Sequence, residues 1–417
     1  VAVVASGTAG AQAIAIAFSP VITRLYGPEA FGLLGTFLAL VALISPIAAF
    51  CYPIAIVLPK NDNEAIGIIR LSIILSLVLA VFLISVFLVA GDELMDLFGA
   101  GAVAAFAWLI PFNILLTGWS QIAKQWLIRK KKFHITAKIA VVQTLILNVT
   151  KTCIGWFHPL AAVLIILTTI GSAFHVTLLF LAGKRVNRDI TLTDQSNSRT
   201  PMLEVAKRYY DFPLYRAPQV FINAISQSLP VLMLAFFFGP ASAGYYAICR
   251  RILTMPSGLI SSSFGDVFYP RLSEAKHKGE NLTRIIVKST FALAAISFLP
   301  FAIIVAFGPW LFEFVFGNEW KIAGEYARWL GVMSFCFFIN KPAVIAVPIL
   351  GLQKGLLIYE LFSTGSKLLA LYIGFIIFKN DKVAVGFFGI FGAVAYISLI
   401  AWVVISSALQ EHGNKNV

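Results

Sequence analysis

Charge is what this chain of 417 residues has least of. Only 12% of its residues are Asp, Glu, Lys or Arg, about half the share in a soluble globular domain. Acids are scarcer than bases, 19 against 32. With 59% of residues hydrophobic and a mean hydropathy of +0.88, no water-soluble core could hide the apolar surface, so the bilayer has to serve as solvent. Other absences narrow the chemistry. The five histidines are scattered, with no metal pairing. Cys51, Cys153, Cys249 and Cys336 all sit in apolar runs without metal-ligand spacing and read as small packing residues. No P-loop is present for ATP. No loop is long enough to bring an acid/base pair to a large polymeric substrate, which argues against a membrane polymerase or ligase. The alternating ten-residue segments of an outer-membrane barrel are also missing. The expectation is a chain that is not an enzyme and has no catalytic residues, no metal and no cofactor.

What is present is a series of long uncharged runs. Residues 71–90 and 291–312 contain no charge at all, and each reaches the roughly 20 residues that span a hydrocarbon core. Twelve spans are predicted, at 3–25, 30–58, 66–90, 102–127, 135–156, 159–182, 213–238, 243–269, 285–308, 325–350, 355–378 and 383–409. The first run has no basic residues before it and reads as a spanning helix rather than a cleaved leader. Pro20, Pro46, Pro111, Pro230, Pro256 and Pro342 fall inside spans, where membrane helices tolerate them, and read as packing kinks. The fold class is therefore an all-α polytopic membrane protein.

The basic residues sort by side. With the N-terminus inside, most of the Lys and Arg fall in inner loops, among them Lys60, Arg129, Lys130, Lys131, Lys132, Lys184, Arg185, Arg271 and Lys276. The outer ends hold Arg24, Lys321, Arg328, Lys379 and Lys382. This asymmetry predicts a multi-pass inner (plasma) membrane protein with both termini in the cytoplasm. It also accounts for most of the net charge of +13, so a nucleic-acid partner is unnecessary. The run 129–132 reads as a topology signal, with the gathering of anionic membrane lipid as the lesser alternative.

The chain also repeats itself. Gly27-Pro28, with Gly32 four residues after the proline, is followed by Pro46 and then Pro59-Lys60. Gly239-Pro240, with Gly244 at the same spacing, is followed by Pro256 and then Pro270-Arg271. The longest polar stretch lies between these sets. The expected organisation is an N-terminal six-helix bundle at 1–182, a cytoplasmic linker at 183–208 and a C-terminal six-helix bundle at 209–417. An even number of spans per half makes the repeats parallel, with a pseudo-twofold along the membrane normal.

Six cations remain within the spans or at their ends: Lys151, Arg216, Arg250, Arg251, Lys341 and Lys367. A charge near the bilayer centre costs on the order of 2.5–3.5 kcal/mol even on the lenient insertion scale, so such groups face a wet cavity. Arg216, near an inner helix end, is equally well explained by snorkelling. Arg250 and Arg251 are about 100° apart on a helix, so one of the two is expected to face the cavity. No carboxylate is expected mid-membrane, since Asp266 and Glu360 lie about one turn from inner helix ends. An anionic ligand or water must then solvate the cations. Polar residues recur at helical spacing: Arg216, Gln219, Asn223 and Gln227; Thr144, Asn148 and Lys151; Thr8, Gln12, Ser19 and Thr23. They read either as interhelical hydrogen-bonding groups or as a cavity wall for sugar hydroxyls.

At this point the residues carry a likeness. TRLYGPEAFGLLGTF at 23–37 and AIVLPKNDNEA at 55–65 resemble the O-antigen and capsule polysaccharide flippases of the multidrug/oligosaccharidyl-lipid/polysaccharide exporter superfamily. GYYAICRRILTMPSGLISSSFGDVFYPR at 244–271 looks like that family's eighth helix, with the arginine five positions before the proline at Arg251. DFPLY at 211–215 matches the usual start of the second bundle. The chain departs from the pattern at 51–53, where Cys51, Tyr52 and Pro53 replace a charged run. The resemblance implies two six-helix bundles around a central cavity, alternating access, and flipping of undecaprenyl-diphosphate-linked oligosaccharide to the outer leaflet for O-antigen (lipopolysaccharide), capsule or exopolysaccharide. A polysaccharide polymerase machinery is an implied partner, and a proton or sodium an implied coupling ion. The cationic cavity residues expected are Arg24, Lys151, Arg251, Lys341 and Lys367, with Gln12, Asn148, Gln219, Asn223 and Gln227 as its polar wall. The alternative is a cation-coupled multidrug exporter of the same superfamily, which would want deep acids.

Overall fold

The computed structural model describes residues 2–97, 100–190 and 201–415. Among them every regular element is helical: α1 (Ala2–Ile44), α2 (Tyr52–Ala55), α3 (Asp62–Leu97), α4 (Leu109–Arg129), α5 (Phe133–Phe157), α6 (Ala161–Ile190), α7 (Met202–Arg208), α8 (Ala217–Phe238), α9 (Pro240–His277), α10 (Leu282–Phe316), α11 (Lys321–Ile339), α12 (Lys341–Leu350), α13 (Gln353–Phe378) and α14 (Asp381–Lys415). Among the described residues, nine helical stretches are long and apolar enough to cross a membrane. One of these holds two spans, because α1 breaks at Gly27. With α4 and α9, both long enough to cross, the spans number twelve. The exposed surface of these helices is apolar, as at Val78, Val81, Phe82, Leu88 and Val89 of α3 and at Phe291, Phe298 and Leu299 of α10. Lipid can face such surfaces where water could not.

The chain packs as two compact units, Val1–Gly244 and Tyr245–Val417. In the first, Tyr52, Ile56, Ile68, Ile122, Trp126 and Val205 form a buried cluster. In the second, Phe268, Leu272, Ile286, Val347, Leu399 and Val403 do so. Gly308 of α10 and Gly324 of α11 press backbone against backbone, since a Cβ on Gly308 would stand 2.6 Å from the Gly324 carbonyl oxygen. Small residues permit this kind of close helix approach in a membrane.

The repeated glycine-proline motif has one backbone conformation in both copies. Gly27 has φ 68 and ψ 172, and Gly239 has φ 87 and ψ 174. A positive φ with extended ψ is accessible essentially to glycine alone. The following proline then opens a helix, where its missing N–H costs nothing. The two motifs also meet within the first unit. A Cβ on Gly32 would overlap the Pro240 carbonyl oxygen, and one on Gly244 would overlap that of Pro28 and stand 2.9 Å from the Gly32 nitrogen.

Three sequence expectations change. The span predicted at 30–58 is not one helix. It ends at Ile44, passes through a short 3-10 turn at Ser45–Ile47 and left-handed Phe50 and Cys51, and resumes as α2. Pro46 and Pro53 sit at the starts of these short pieces. The span at 325–350 is likewise two helices, joined at Asn340, with Pro342 in the first turn of α12. The segment expected as a linker at 183–208 carries helix at both ends. α6 runs on to Ile190, residues 191–200 lie outside the described ones, and α7 docks on the first unit. Its Val205 is buried in the Tyr52–Ile68 cluster, the Tyr52 hydroxyl donates to the Ala206 carbonyl (3.2 Å), and Arg208 pairs with Glu64 (2.7 Å).

The basic run at 129–132 also does more than set orientation. Arg129 donates to Asp62 (2.9 Å) and to the carbonyls of Ile56 (3.1 Å) and Pro59 (2.6 Å), and Lys130 binds the same Asp62. These bonds cap the open carbonyls of the broken stretch before α3. Lys131 and Lys132 remain exposed.

Candidate functional site

Two of the predicted cations come together in the second unit. Lys341 opens α12 immediately after the helix break at Asn340. This places its ammonium 4.1 Å from the centre of the Phe337 ring on α11. Lys367 lies in the interior of α13, about 21 Å from the helix start, with its ammonium 5.5 Å from the centre of the Tyr396 ring on α14. The two rings touch, with centroids 5.3 Å apart and planes inclined at 59°. The sequence Lys341, Phe337, Tyr396, Lys367 is therefore continuous in space and drawn from four helices. Gly392 makes room for it, because a Cβ there would meet Met333 and the Lys367 stem, the latter at 3.4 Å.

The electrostatics of this cluster follow from its partners. An ammonium on a ring face is stabilised by the ring quadrupole, more strongly when desolvated. Such a seat leaves its N–H donors open to a ligand, whereas a carboxylate partner would occupy them. Neither lysine forms an ion pair among the described residues. Glu360 acts on Lys367 through space. It sits seven residues before Lys367 on α13, two turns away on the same face, and about two turns from the helix start at Gln353 rather than the one turn expected. Arg250 acts on both Tyr246 and Tyr396. Arg250 is thus within electrostatic reach of the cluster. Arg251 is exposed and makes no side-chain hydrogen bond or ion pair among the described residues.

The other predicted residues lie in the first unit. Lys151 of α5 donates to Thr168 Oγ1 of α6 (2.9 Å), and its carbonyl accepts from the Tyr26 hydroxyl (2.8 Å). Arg24 is exposed on α1, one turn before the Gly27 break. Asn148 turns back on its own helix and donates to the Thr144 carbonyl (2.7 Å). Gln12 is half-buried, and its Oε1 has no hydrogen-bond partner among the described residues. Gln219, Asn223 and Gln227 are all exposed along one face of α8, and Gln219 accepts from Arg216 (2.8 Å). Sequence reasoning missed Phe337 and Tyr396. Helical spacing was the available signal, since Phe337 precedes Lys341 by one turn.

Helices of this number and length, apolar over their exposed surfaces, define a polytopic membrane protein. Comparison with known proteins places it further. The model of the Polysaccharide biosynthesis protein family matches residues 21–324, and the chain belongs to that family. It is 20% identical over 365 residues to the Succinoglycan biosynthesis transport protein ExoT of Rhizobium meliloti (strain 1021), covering 85% of this chain and 68% of that one. Its fold is similar to that of a multidrug resistance MATE family transporter of the MOP superfamily in an inward-facing conformation (TM-score 0.72, 16% identity, 96% of this chain and 95% of that one). It is also similar to the lipid II flippase MurJ in an inward closed conformation (TM-score 0.69, 13% identity, 99% and 92%).

Proposed function

We propose that this protein flips an undecaprenyl-diphosphate-linked oligosaccharide from the cytoplasmic to the outer leaflet of a bacterial inner membrane by alternating access, supplying O-antigen, capsule or exopolysaccharide synthesis. The observation that carries the reading is the pair Lys341 and Lys367, seated on Phe337 and Tyr396 rather than on carboxylates. Two full positive charges in an apolar protein call for a ligand with about two negative charges, and a diphosphate diester has that number. Charge-assisted hydrogen bonds from ammonium to phosphate oxygen are about twice as strong as neutral ones. Arg24, Lys151 and Arg251 are proposed as further cationic contacts, and Gln12, Asn148, Gln219, Asn223 and Gln227 as partners for hydroxyls. The lipid tail needs no protein site, because it can remain in the bilayer.

Family membership supports the pathway, and the named relative acts in succinoglycan biosynthesis transport. The loops bearing Lys60, Arg129 and Arg271 then face the cytoplasm, together with both termini. Residues 1–182 and 209–417 are the duplicated halves. A proton or sodium gradient is the proposed driving force, and a polymerase the consumer of the flipped unit. Purified protein in liposomes, given lipid-linked glycans on one leaflet, tests the proposal by the appearance of glycan on the other. Extrusion of cationic dyes without glycan flipping would instead identify a multidrug exporter.

A further inference from the structure

The first unit holds a buried titratable group of its own. His175 lies on α6, about 21 Å along the axis from the helix start at Ala161. The residue is half-buried, but both ring nitrogens, Nδ1 and Nε2, are shut away from solvent, and neither has a hydrogen-bond partner among the described residues. A neutral imidazole carries one N–H donor and one lone pair. Buried polar atoms left unmatched are few in folded proteins, and each calls for an explanation.

The neighbouring helices supply one. Within the unit α6 packs against α4, α5 and α1. On α4, Asn113 donates to Thr169 Oγ1 (2.7 Å), and the Trp119 and Phe180 rings meet with centres 6.2 Å apart, so α4 and α6 run parallel. Leu179, one turn after His175, is buried with Ala123 and Leu127 of α4. Lys124 follows Ala123 at that level, and its charge acts on the His175 ring through space. Toward the α6 start, Thr168, Gly171 and His175 share one face at spacings of three and four. From α5, Lys151 donates to Thr168 Oγ1 (2.9 Å) and Gln143 to the Gly171 carbonyl (3.4 Å). Polar groups therefore follow one another along α6, with His175 between Lys151 and Lys124.

Charge around the ring has one sign. α4, α5 and residues 2–28 of α1 contain no carboxylate, and α6 has one, at Asp189, about 21 Å beyond His175 along the axis. The other cations of these helices are spoken for or turned outward. Lys151 is held by Thr168, Arg129 and Lys130 are held by Asp62, and His134, Lys138, Lys184 and Arg185 are exposed. α1 has no charged residue before Arg24. Hard metal cations take oxygen ligands, and here one would face an ammonium and ring nitrogens. A proton needs a single lone pair, and imidazole is the side chain suited to gain and lose one between pH 5 and 8.

We propose that His175 is the proton-carrying group of this protein: a ring nitrogen takes a proton from water on one side of the membrane and returns it to water on the other. The inference rests on the transport function above and selects the proton from the two driving ions named there. Uptake turns the neutral ring into an imidazolium with two N–H donors, and no other bond changes. Lys124 keeps the proton loosely held, because like charges at low dielectric repel.

The test is glycan flipping by the full-length protein in liposomes, with and without an imposed pH gradient. A difference of one pH unit is worth about 1.4 kcal/mol per proton and should change the wild-type initial rate by up to about tenfold, up or down with the gradient's direction. In His175→Gln the rates with and without the gradient should be equal. In Lys124→Gln the response should persist with its midpoint displaced to higher pH, a shift that a packing role would not produce and that decides the matter even where His175→Gln does not assemble. A wild type indifferent to the gradient, a response retained in His175→Gln, or an unmoved midpoint in Lys124→Gln overturns the inference and leaves the flipping function standing. A wild type that flips no glycan under any gradient overturns the function and the inference together.

Discussion

Gly32 and Gly244 meet backbone to backbone, each too close to the other's motif to carry even a methyl group. Both belong to the repeated glycine-proline motif, so the two copies of that motif pack directly against each other. Gly32→Ala or Gly244→Ala drives a Cβ into a carbonyl oxygen that cannot yield without a backbone shift. Overpacking of this kind costs about 1–3 kcal/mol. Each variant should lower the melting temperature of the detergent-solubilised protein by several degrees. Gly365→Ala is the control, because nothing lies within 4 Å of the added Cβ and alanine is the better helix former. Equal melting of all three would refute the close-packing account.

Lys341 and Lys367 should behave as charges rather than as shapes. Lys341→Gln and Lys367→Gln are each expected to slow flipping about fivefold, the size of one ~1 kcal/mol contact, and together to nearly abolish it. Arginine at either position should retain more transport than glutamine, although the two cations are not fully interchangeable. The assay is initial flipping rate in liposomes at matched protein density. Wild-type rates in the double glutamine variant would remove the lysine pair from the mechanism.

Orientation is open to direct labelling. Reporters placed at His158, Asn318 and Asn380 should report the outer side, and reporters at Lys60 and Lys278 the cytoplasm. Two or more of the five on the opposite side would sink the twelve-span topology.

The docking of α7 allows the chain to be cut. Fragments 1–190 and 201–417, co-expressed, should copurify through Val205, the Tyr52–Ala206 hydrogen bond and the Arg208–Glu64 pair, and should retain part of the flipping activity. Val205→Asp buries an uncompensated charge and should weaken the association. Complete loss of flipping with both fragments at normal membrane levels would show that the connection itself is required.

One ion pair sets a mild acid sensitivity. Arg271 Nη2 binds Glu280 at 2.6 Å, and this holds the Glu280 carboxyl below its ordinary value of 4.5. A depressed carboxyl pKa contributes stability that is complete above the unfolded value and is lost as pH falls through the folded value. Amide exchange across 271–282 should therefore be slow at pH 7 and become faster as the pH falls below the ordinary value of 4.5. In Glu280→Gln it should vary less with pH once the intrinsic chemistry is divided out. Arg271 is exposed and Glu280 partly so, so the effect is local.

The helix count was legible because uncharged stretches such as 71–90 leave a membrane span as their one economical reading. The breaks at 45–51 and at Asn340 were not. Pro46 and Pro342 were visible, but a proline inside an apolar run looks the same whether it bends a helix or opens a new one. Lys341 and Lys367 stood out because charge in hydrocarbon is costly. Their aromatic partners did not, since Phe337 is one of 36 phenylalanines and Tyr396 one of 12 tyrosines. Arg250 and Arg251, 100° apart, could be separated only by knowing how α9 is rotated about its axis.

Holding two ammonium groups on aromatic faces also has an electrical consequence. Because Lys341 and Lys367 are not neutralised by their seats, they respond to the membrane potential, at about 2.3 kcal/mol per elementary charge moved through 100 mV. Loaded with a diphosphate diester, the pair carries nearly no net charge. Empty, it is left with net positive charge. On the proposed function, voltage would therefore bear mainly on the return of the unloaded carrier and little on the step that moves the glycan.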